Sequence, residues 1–296
     1  MSFDDYLKNR SNQFEQLKTS LQKNTEKKSY DDDRIWKARM GKDGTGYAVV
    51  RFLPGKDSSK TPWVTVYDHG FQGPTGKWYI ENSLTTINQN DPVSEYNSKL
   101  WNSGIEENKE IARKQKRRTS YYANVLVLND PQDTSNEGKV KIFKFGQKIF
   151  EKIMASMQPE FEDETPVNPF DFWEGANFKL KIRKVDGYWN YDKSEFDSAS
   201  KLNEDDSELD KIWKSEYSLK DFLAASNFKT YDELKNRLDD VLTGSQSTSG
   251  SAENVELDDT PEVDVEDKQY VDNVVKTTST ESDDSLDYFQ KLAKEA

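Results

Sequence analysis

Residues 114–130 read KQKRRTSYYANVLVLND. Four cations, Lys114, Lys116, Arg117 and Arg118, run directly into two tyrosines and then into an apolar run closed by Asn129, Asp130 and Pro131. Aromatic and β-branched residues favour a pleated, half-buried surface, so residues 121–128 read as a strand. Strand side chains alternate between faces. Tyr121 and Tyr122 therefore point opposite ways, one into a core and the other toward a flat ligand.

Similar runs recur on both sides. Residues 47–53 (YAVVRFL) end at Pro54-Gly55, and 62–67 (PWVTVY) form another short run. Residues 77–80 (KWYI) follow a Gly-Pro-Thr-Gly turn, and 139–145 (KVKIFKF) follow a polar loop with Asn136 and Gly138. Residues 178–185 (FKLKIRKV) alternate apolar with Lys179, Lys181 and Arg183, a period of two. Many short strands with turn punctuation predict a small barrel rather than a parallel sheet. Helical insertions fall at 94–101, leading into the charged segment 105–118, and at 146–157, where Ile149, Phe150 and Ile153 share a face. Residues 192–216 are acidic and helical or irregular, and 218–242 read as one or two closing helices. The fold class is mainly β with α insertions, that is α+β.

Composition narrows the chemistry. There is no cysteine and one histidine, His69. That excludes disulfides, thiolate metal sites, cysteine nucleophiles and a His-based metal cage. No phosphate loop, dinucleotide fingerprint or HExxH is present, so the chain is not read as an enzyme. No apolar run reaches the roughly 20 residues of a membrane span, and the polar N-terminus carries no signal-peptide pattern. The chain has 7 Trp, 14 Tyr and 15 Phe, too many aromatics for a wholly unfolded chain.

The net charge of −13 argues at first against a polyanionic partner, but its distribution does not. Residues 244–296 hold 14 acidic and 4 basic residues, so the rest of the chain is nearly neutral. A near-neutral body can carry a basic face. Residues 243–252 (TGSQSTSGSA) read as a flexible linker, and 253–287 as a disordered acidic segment. Leu286, Phe289 and Leu292 place a short partner-binding helix at 284–294. At the other end, Phe3, Leu7, Phe14, Leu17 and Leu21 recur at helical spacing over residues 1–22, with Lys8, Arg10 and Ser11 between them.

Binding a single strand takes a cationic groove for phosphates and ring faces for bases. Lys109, Arg113, Lys114, Lys116, Arg117 and Arg118 lie within ten residues, just before Tyr121. A second cluster, Tyr188-Trp189-Asn190-Tyr191, lies next to Lys181, Arg183 and Lys184, while Trp78, Tyr79 and Phe143 add further rings. Two basic-plus-aromatic clusters among short strands point to a binder of unpaired nucleic acid.

Residues 47–191 resemble the single-stranded DNA-binding, or helix-destabilising, protein family of T-even bacteriophages. The resemblance rests on AVVRFLP, HGF, GKWYIE, RRTSYYANVLVLNDP, NEGKV, FGQKI and WEGANFKLKIRKVDGYWNYD, in order. It implies three parts: a basic arm (1–22) for cooperative self-association, an OB-type DNA-binding core (23–243), and an acidic tail (244–296) that recruits replication and recombination proteins such as polymerase, helicase loader and recombinase. It implies sequence-independent coating of single-stranded DNA, duplex destabilisation, and support of phage replication, recombination and repair in the host cytoplasm. Phosphate contacts fall at Lys114, Lys116, Arg117, Arg118, Lys181 and Arg183. Stacking rings fall at Tyr121, Phe143, Tyr188, Tyr191 and Trp101, with Phe143 and Trp101 standing where the family has tyrosine. The arm motif is reduced to Lys8, Arg10 and Ser11. The family's structural zinc would fall at His69, Ser83, Asp91 and Ser94. Without thiolates that set is a poor zinc site, so the expectation is no cofactor and a helical subdomain held by packing. The second functional reading is a single-stranded RNA-binding translational regulator of the same OB type.

Overall fold

The computed structural model describes residues 32–244, except 57–59, 162 and 186. The arm (1–22) and the tail beyond Gly244 lie outside the described residues, as do the readings made for them. Within residues 32–35, Arg34 grips the Asp32 carboxylate through Nε and Nη2, at 2.9 and 2.7 Å. The described residues from Trp36 to Gly244 belong to one body.

Its strands are β1 (Thr45–Phe52), β2 (Trp63–Gln72), β3 (Trp78–Asn82), β4 (Arg118–Asn129), β5 (Val140–Phe145), β6 (Asn177–Val185), β7 (Tyr188–Asn190) and β8 (Glu195–Phe196). Helices are α1 (Pro92–Asn102), α2 (Glu106–Lys114), α3 (Gln147–Met157), α4 (Asp206–Ser215) and α5 (Tyr231–Thr243).

The run quoted above organises the sheet. β4 is 12 residues long, about 40 Å of extended chain, and so has room for two partners end to end on one edge. Its first half pairs with β2, from Asp68↔Arg118 to Trp63↔Ala123, and its second half with β1, including Phe52↔Val125. The other edge carries β5, from Tyr121↔Phe145 to Leu126↔Val140. β1 passes the sheet on to β6, and β6 to β7 and β8, all antiparallel. A register shift between Val49 and Val50 marks a bulge where β1 changes alignment on β4.

The expected closed barrel is not what forms. The path β5–β4–β1–β6–β7 is open. α3 packs on both β4 and β8. Its Ile149 and Ile153 join Ala48, Val50, Phe52, Val125, Phe145, Phe178 and Leu180 in the main core. Burying a large apolar side chain contributes roughly 1.5–3 kcal/mol, and this cluster is the largest single store of that energy.

β2 runs past the end of β4 to Gln72 and folds back on β3 through the Gly73–Gly76 turn, where Gly76 has φ +79°. This hairpin, α1 and α5 bury a second core of Phe71, Tyr79, Leu84, Val93, Leu234, Leu238 and Val241. Asp91 caps α1, accepting from the N–H groups of Val93 and Ser94, and Pro92 supplies a first-turn residue that needs no N–H partner. α5 begins with a full capping box, Thr230 with Glu233, and ends at Gly244 in the left-handed conformation. Within 218–242, residues Leu219–Leu223 form a 3-10 turn, and only Tyr231–Thr243 is α-helical.

The charged segment read as helical to residue 118 stops at Lys114. Arg118 is the first residue of β4, because the antiparallel register opposite Asp68 captures it.

Candidate nucleic-acid interface

Antiparallel neighbours share a face, so the register Asp68↔Arg118 places carboxylate and guanidinium side by side. Arg118 Nε donates to Asp68 Oδ1 at 2.6 Å, and Nη2 pairs with the same oxygen. The guanidinium lies flat over Gly70, where an added Cβ would come within 2.6 Å of it. Its side chain stays 40% exposed, so an anion can still reach it.

Arg117 is held differently. Its guanidinium carbon lies 3.6 Å from the centre of the Tyr67 ring, and Nη1 donates to Thr85 Oγ1 at 2.6 Å. Cation–π contact and a hydroxyl acceptor together fix its plane. Lys114 and Lys116 are exposed on either side of buried Gln115. The basic run is therefore two anchored arginines preceded by two exposed lysines.

The rings divide more sharply than the sequence suggested. Tyr121 is buried: its ring is parallel to Phe150 at 4.0 Å, and its hydroxyl donates to Gln147 Oε1 at 2.9 Å. Burial pushes that hydroxyl up to about 12. Phe143 is also buried, packed against Trp36, Phe52 and Phe145. Phe143 pairs with Ala123, so it shares the core face with Tyr121. Neither ring presents a free face for a base in this structure. Tyr122, on the opposite face, is covered by Phe222 at 4.3 Å.

Tyr188 does project, at 48% exposure. It lies opposite Val185 and shares the outer face of β6 and β7 with Lys181 and Arg183. Tyr47, 42% exposed, pairs with Lys181 and joins that face. Carboxylates neutralise the cations there: Lys181 with Glu195 at 2.7 Å, Arg183 with Asp192 at 2.6 Å. Exposed pairs of this kind contribute about 0–1 kcal/mol, so a phosphate can displace them. Tyr191 is half-buried against the main core. Trp101 forms a separate group on the α1–α2 hairpin, under Lys109 Nζ at 5.8 Å and Arg113 Cζ at 5.3 Å.

Two residues of this surface escaped the sequence reading, Tyr67 and Tyr47. Tyr47 is the polar-facing partner of buried Ala48 in a period-two strand, a signal that was available. The role of Tyr67 depends on its register opposite Thr119, which no local pattern reveals.

The four positions matching the family's metal ligands come together but do not fit zinc. His69 Nδ1 is 3.1 Å from the Gln115 carbonyl oxygen. Asp91 already accepts from the backbone N–H groups of Leu84, Val93 and Ser94. The Ser83 hydroxyl caps a 3-10 turn. Burial works to raise the Asp91 carboxyl, but His69 and the backbone donors outweigh it and bring it down to about 2. Among the described residues no group of three His, Cys, Asp or Glu side chains converges as a metal cage.

Two anchored arginines where β4 begins and, on a separate part of the sheet, exposed Tyr47 and Tyr188 among Lys181 and Arg183 mark a nucleic-acid-binding protein built on an antiparallel sheet. A family model described as gp32 DNA binding protein like matches residues 44–242. Over 231 residues the chain is 40% identical to the single-stranded DNA-binding proteins of Enterobacteria phages T2 and T4, covering 76% of this chain and 74% and 75% of theirs. Over 98 residues it is 42% identical to the single-stranded DNA-binding protein of Enterobacteria phage RB70, covering 32% of this chain and 80% of that one. The chain belongs to this gp32-like family of DNA-binding proteins.

Proposed function

We propose that the protein binds single-stranded DNA without sequence selection, and that Arg117, Arg118, Lys114 and Lys116 form its principal phosphate grip. The observation that carries this reading is a pair of anchored guanidiniums where β4 begins, Arg117 held 3.6 Å from the Tyr67 ring centre and Arg118 laid on Gly70, which together form a preformed cationic shelf. Tyr188 and Tyr47, with Lys181 and Arg183, offer a second contact face. Binding one strand and not the duplex melts secondary structure by mass action. The sheet reads as an OB derivative opened at one seam and plugged by α3. The arm with Lys8, Arg10 and Ser11 serves cooperative binding between copies. The acidic tail serves recruitment of replication and recombination proteins and competes with DNA for the cationic shelf. The site of action is the cytoplasm of an infected bacterium. Among the described residues no helix is long and apolar enough to cross a membrane.

The test is a salt titration of binding to short oligo-dT. Each phosphate contact on a single strand contributes about 0.7 to the slope of log K against log salt. Replacing Arg117 and Arg118 by Ala should weaken binding at low salt and flatten the slope by about 1.4. Equal affinity and equal slope for wild type and variant would sink the assignment.

A further inference from the structure

His69 is 1% exposed and both of its ring nitrogens face oxygen acceptors. Nδ1 faces the Gln115 carbonyl at 3.1 Å, and Nε2 lies 3.3 Å from Asp91 Oδ1, off line for a hydrogen bond. A carbonyl oxygen can only accept, so Nδ1 carries the proton that bonds it. Asp91 Oδ1 is taken up by the N–H groups of Val93 and Ser94. His69 and Asp91 thus lie side by side as a buried pair, each tied to backbone.

The partners of this pair are the parts that hold the cationic shelf. His69 is on β2, two residues from Tyr67. Asp91 ties the start of α1 to Leu84, the first residue of the 3-10 turn whose Thr85 holds Arg117. Gln115 is the last residue before Lys116-Arg117-Arg118. Its carbonyl takes a second donor, Asn97 Nδ2 of α1, at 3.0 Å. β2, the 3-10 turn, α1 and the root of the basic run thus meet at one buried imidazole.

We propose that His69 and Asp91 form a metal-free clamp in the place of the family's zinc centre, and that His69 is a positioning residue that fixes the basic run for DNA through the Gln115 carbonyl. The inference rests on the DNA-binding reading above. A buried polar network of this kind specifies one arrangement when it is complete, and is costly when one member is removed. Zinc would compete with the backbone N–H groups of Leu84, Val93 and Ser94 for the Asp91 carboxylate and with the Gln115 carbonyl for the orientation of His69. The hydroxyls of Ser83 and Ser94 supply no thiolate in their stead.

The experiment combines metal analysis with a double-mutant cycle on the full chain. Protein expressed with added zinc should hold far less than one zinc per chain, and EDTA should change neither its melting temperature nor its affinity for oligo-dT. His69→Leu should lose about tenfold in affinity, the order expected when a satisfied buried network is broken. His69→Asn, whose side-chain amide keeps an N–H near the Nδ1 position, should recover part of that loss. In an Arg117→Ala background the His69→Leu loss should shrink, since the group being positioned is gone. Asn97→Ala removes the other donor to the Gln115 carbonyl without stranding a buried charge. It stands in if His69→Leu does not fold, with the same shrinkage expected on Arg117→Ala.

One tightly bound zinc per chain whose removal weakens binding would overturn the clamp. So would losses from His69→Leu or Asn97→Ala that are the same with and without Arg117, because they would show general destabilisation. Wild-type affinity in Asn97→Ala and His69→Asn alike would overturn the positioning role while leaving the DNA-binding reading intact. Salt-independent or absent binding of oligo-dT by wild type would overturn both.

Discussion

Glu216 follows α4 and is 3% exposed, with neither carboxylate oxygen in a hydrogen bond of good geometry. Burial pushes its carboxyl up to about 7, offset in part by the Gly55 N–H and the Lys56 ammonium nearby. The unfolded chain titrates this group near 4.5. Between those values the folded state binds the extra proton, so stability falls as pH rises from about 4.5 through about 7 and is level above that. The shift corresponds to about 3 kcal/mol. Urea unfolding of Glu216→Gln and wild type at pH 5 and pH 8 should show the variant gaining on wild type by an amount of that order; parallel pH profiles would refute it. Such environments are invisible in sequence, and Tyr121 and Phe143 show why. Period-two alternation says that Tyr121 and Tyr122 face opposite ways but not which face is roofed. The roofs are Phe150 and Phe222, the latter 100 positions from Tyr122. Arg117 and Arg118 were legible because a cation run beside rings needs no distant partner to be noticed. Their anchors, Tyr67 and Asp68, needed the register.

The second core depends on how α5 is seated. An added Cβ on Gly73 would lie 2.4 Å from the Val241 carbonyl oxygen and 2.5 Å from its side chain. That close approach lets the β2–β3 turn meet the last turn of α5, where Thr75 Oγ1 donates to the same carbonyl at 2.7 Å. Gly73→Ala must displace the helix, and overpacking of this kind costs about 1–3 kcal/mol. Thr230→Ala removes one half of the capping box at the other end and should cost about 1 kcal/mol. Thermal unfolding of both variants tests the pair; Gly73→Ala melting above Thr230→Ala would count against the seating described here. The helix was legible from Tyr231, Leu234 and Leu238 at helical spacing. Its place was not, since the apolar stripe does not say which sheet edge it covers. β2 was read only over residues 62–67. Pairing with β3 and burial of His69 extend it through Gln72.

Across the whole molecule, antiparallel short strands with helical insertions followed from turn punctuation and strand patterning. Closure did not follow, because it depends on whether the edge strands meet, and the path of strands stays open. The charge division between body and tail was fully legible, being additive along the chain, and it supports the last prediction. Residues 244–296 carry a net −10, while the remainder is nearly neutral. A protein ending at Gly244 keeps α5 and its C-cap, where the Gly244 N–H bonds the Asp240 carbonyl at 3.0 Å. Its melting temperature should therefore match the full chain. Its affinity for oligo-dT should be higher at low salt, because an acidic segment tethered to the body no longer competes with phosphates for Arg117, Arg118 and the flanking lysines. Salt screens that competition over about 10 Å at 0.1 M, so the two affinities should converge as salt rises and the truncated protein should show the steeper slope. Fluorescence titration of both proteins across a salt series measures the gap directly. A gap absent at low salt, or constant at every salt, would show that the tail does not reach the cationic shelf.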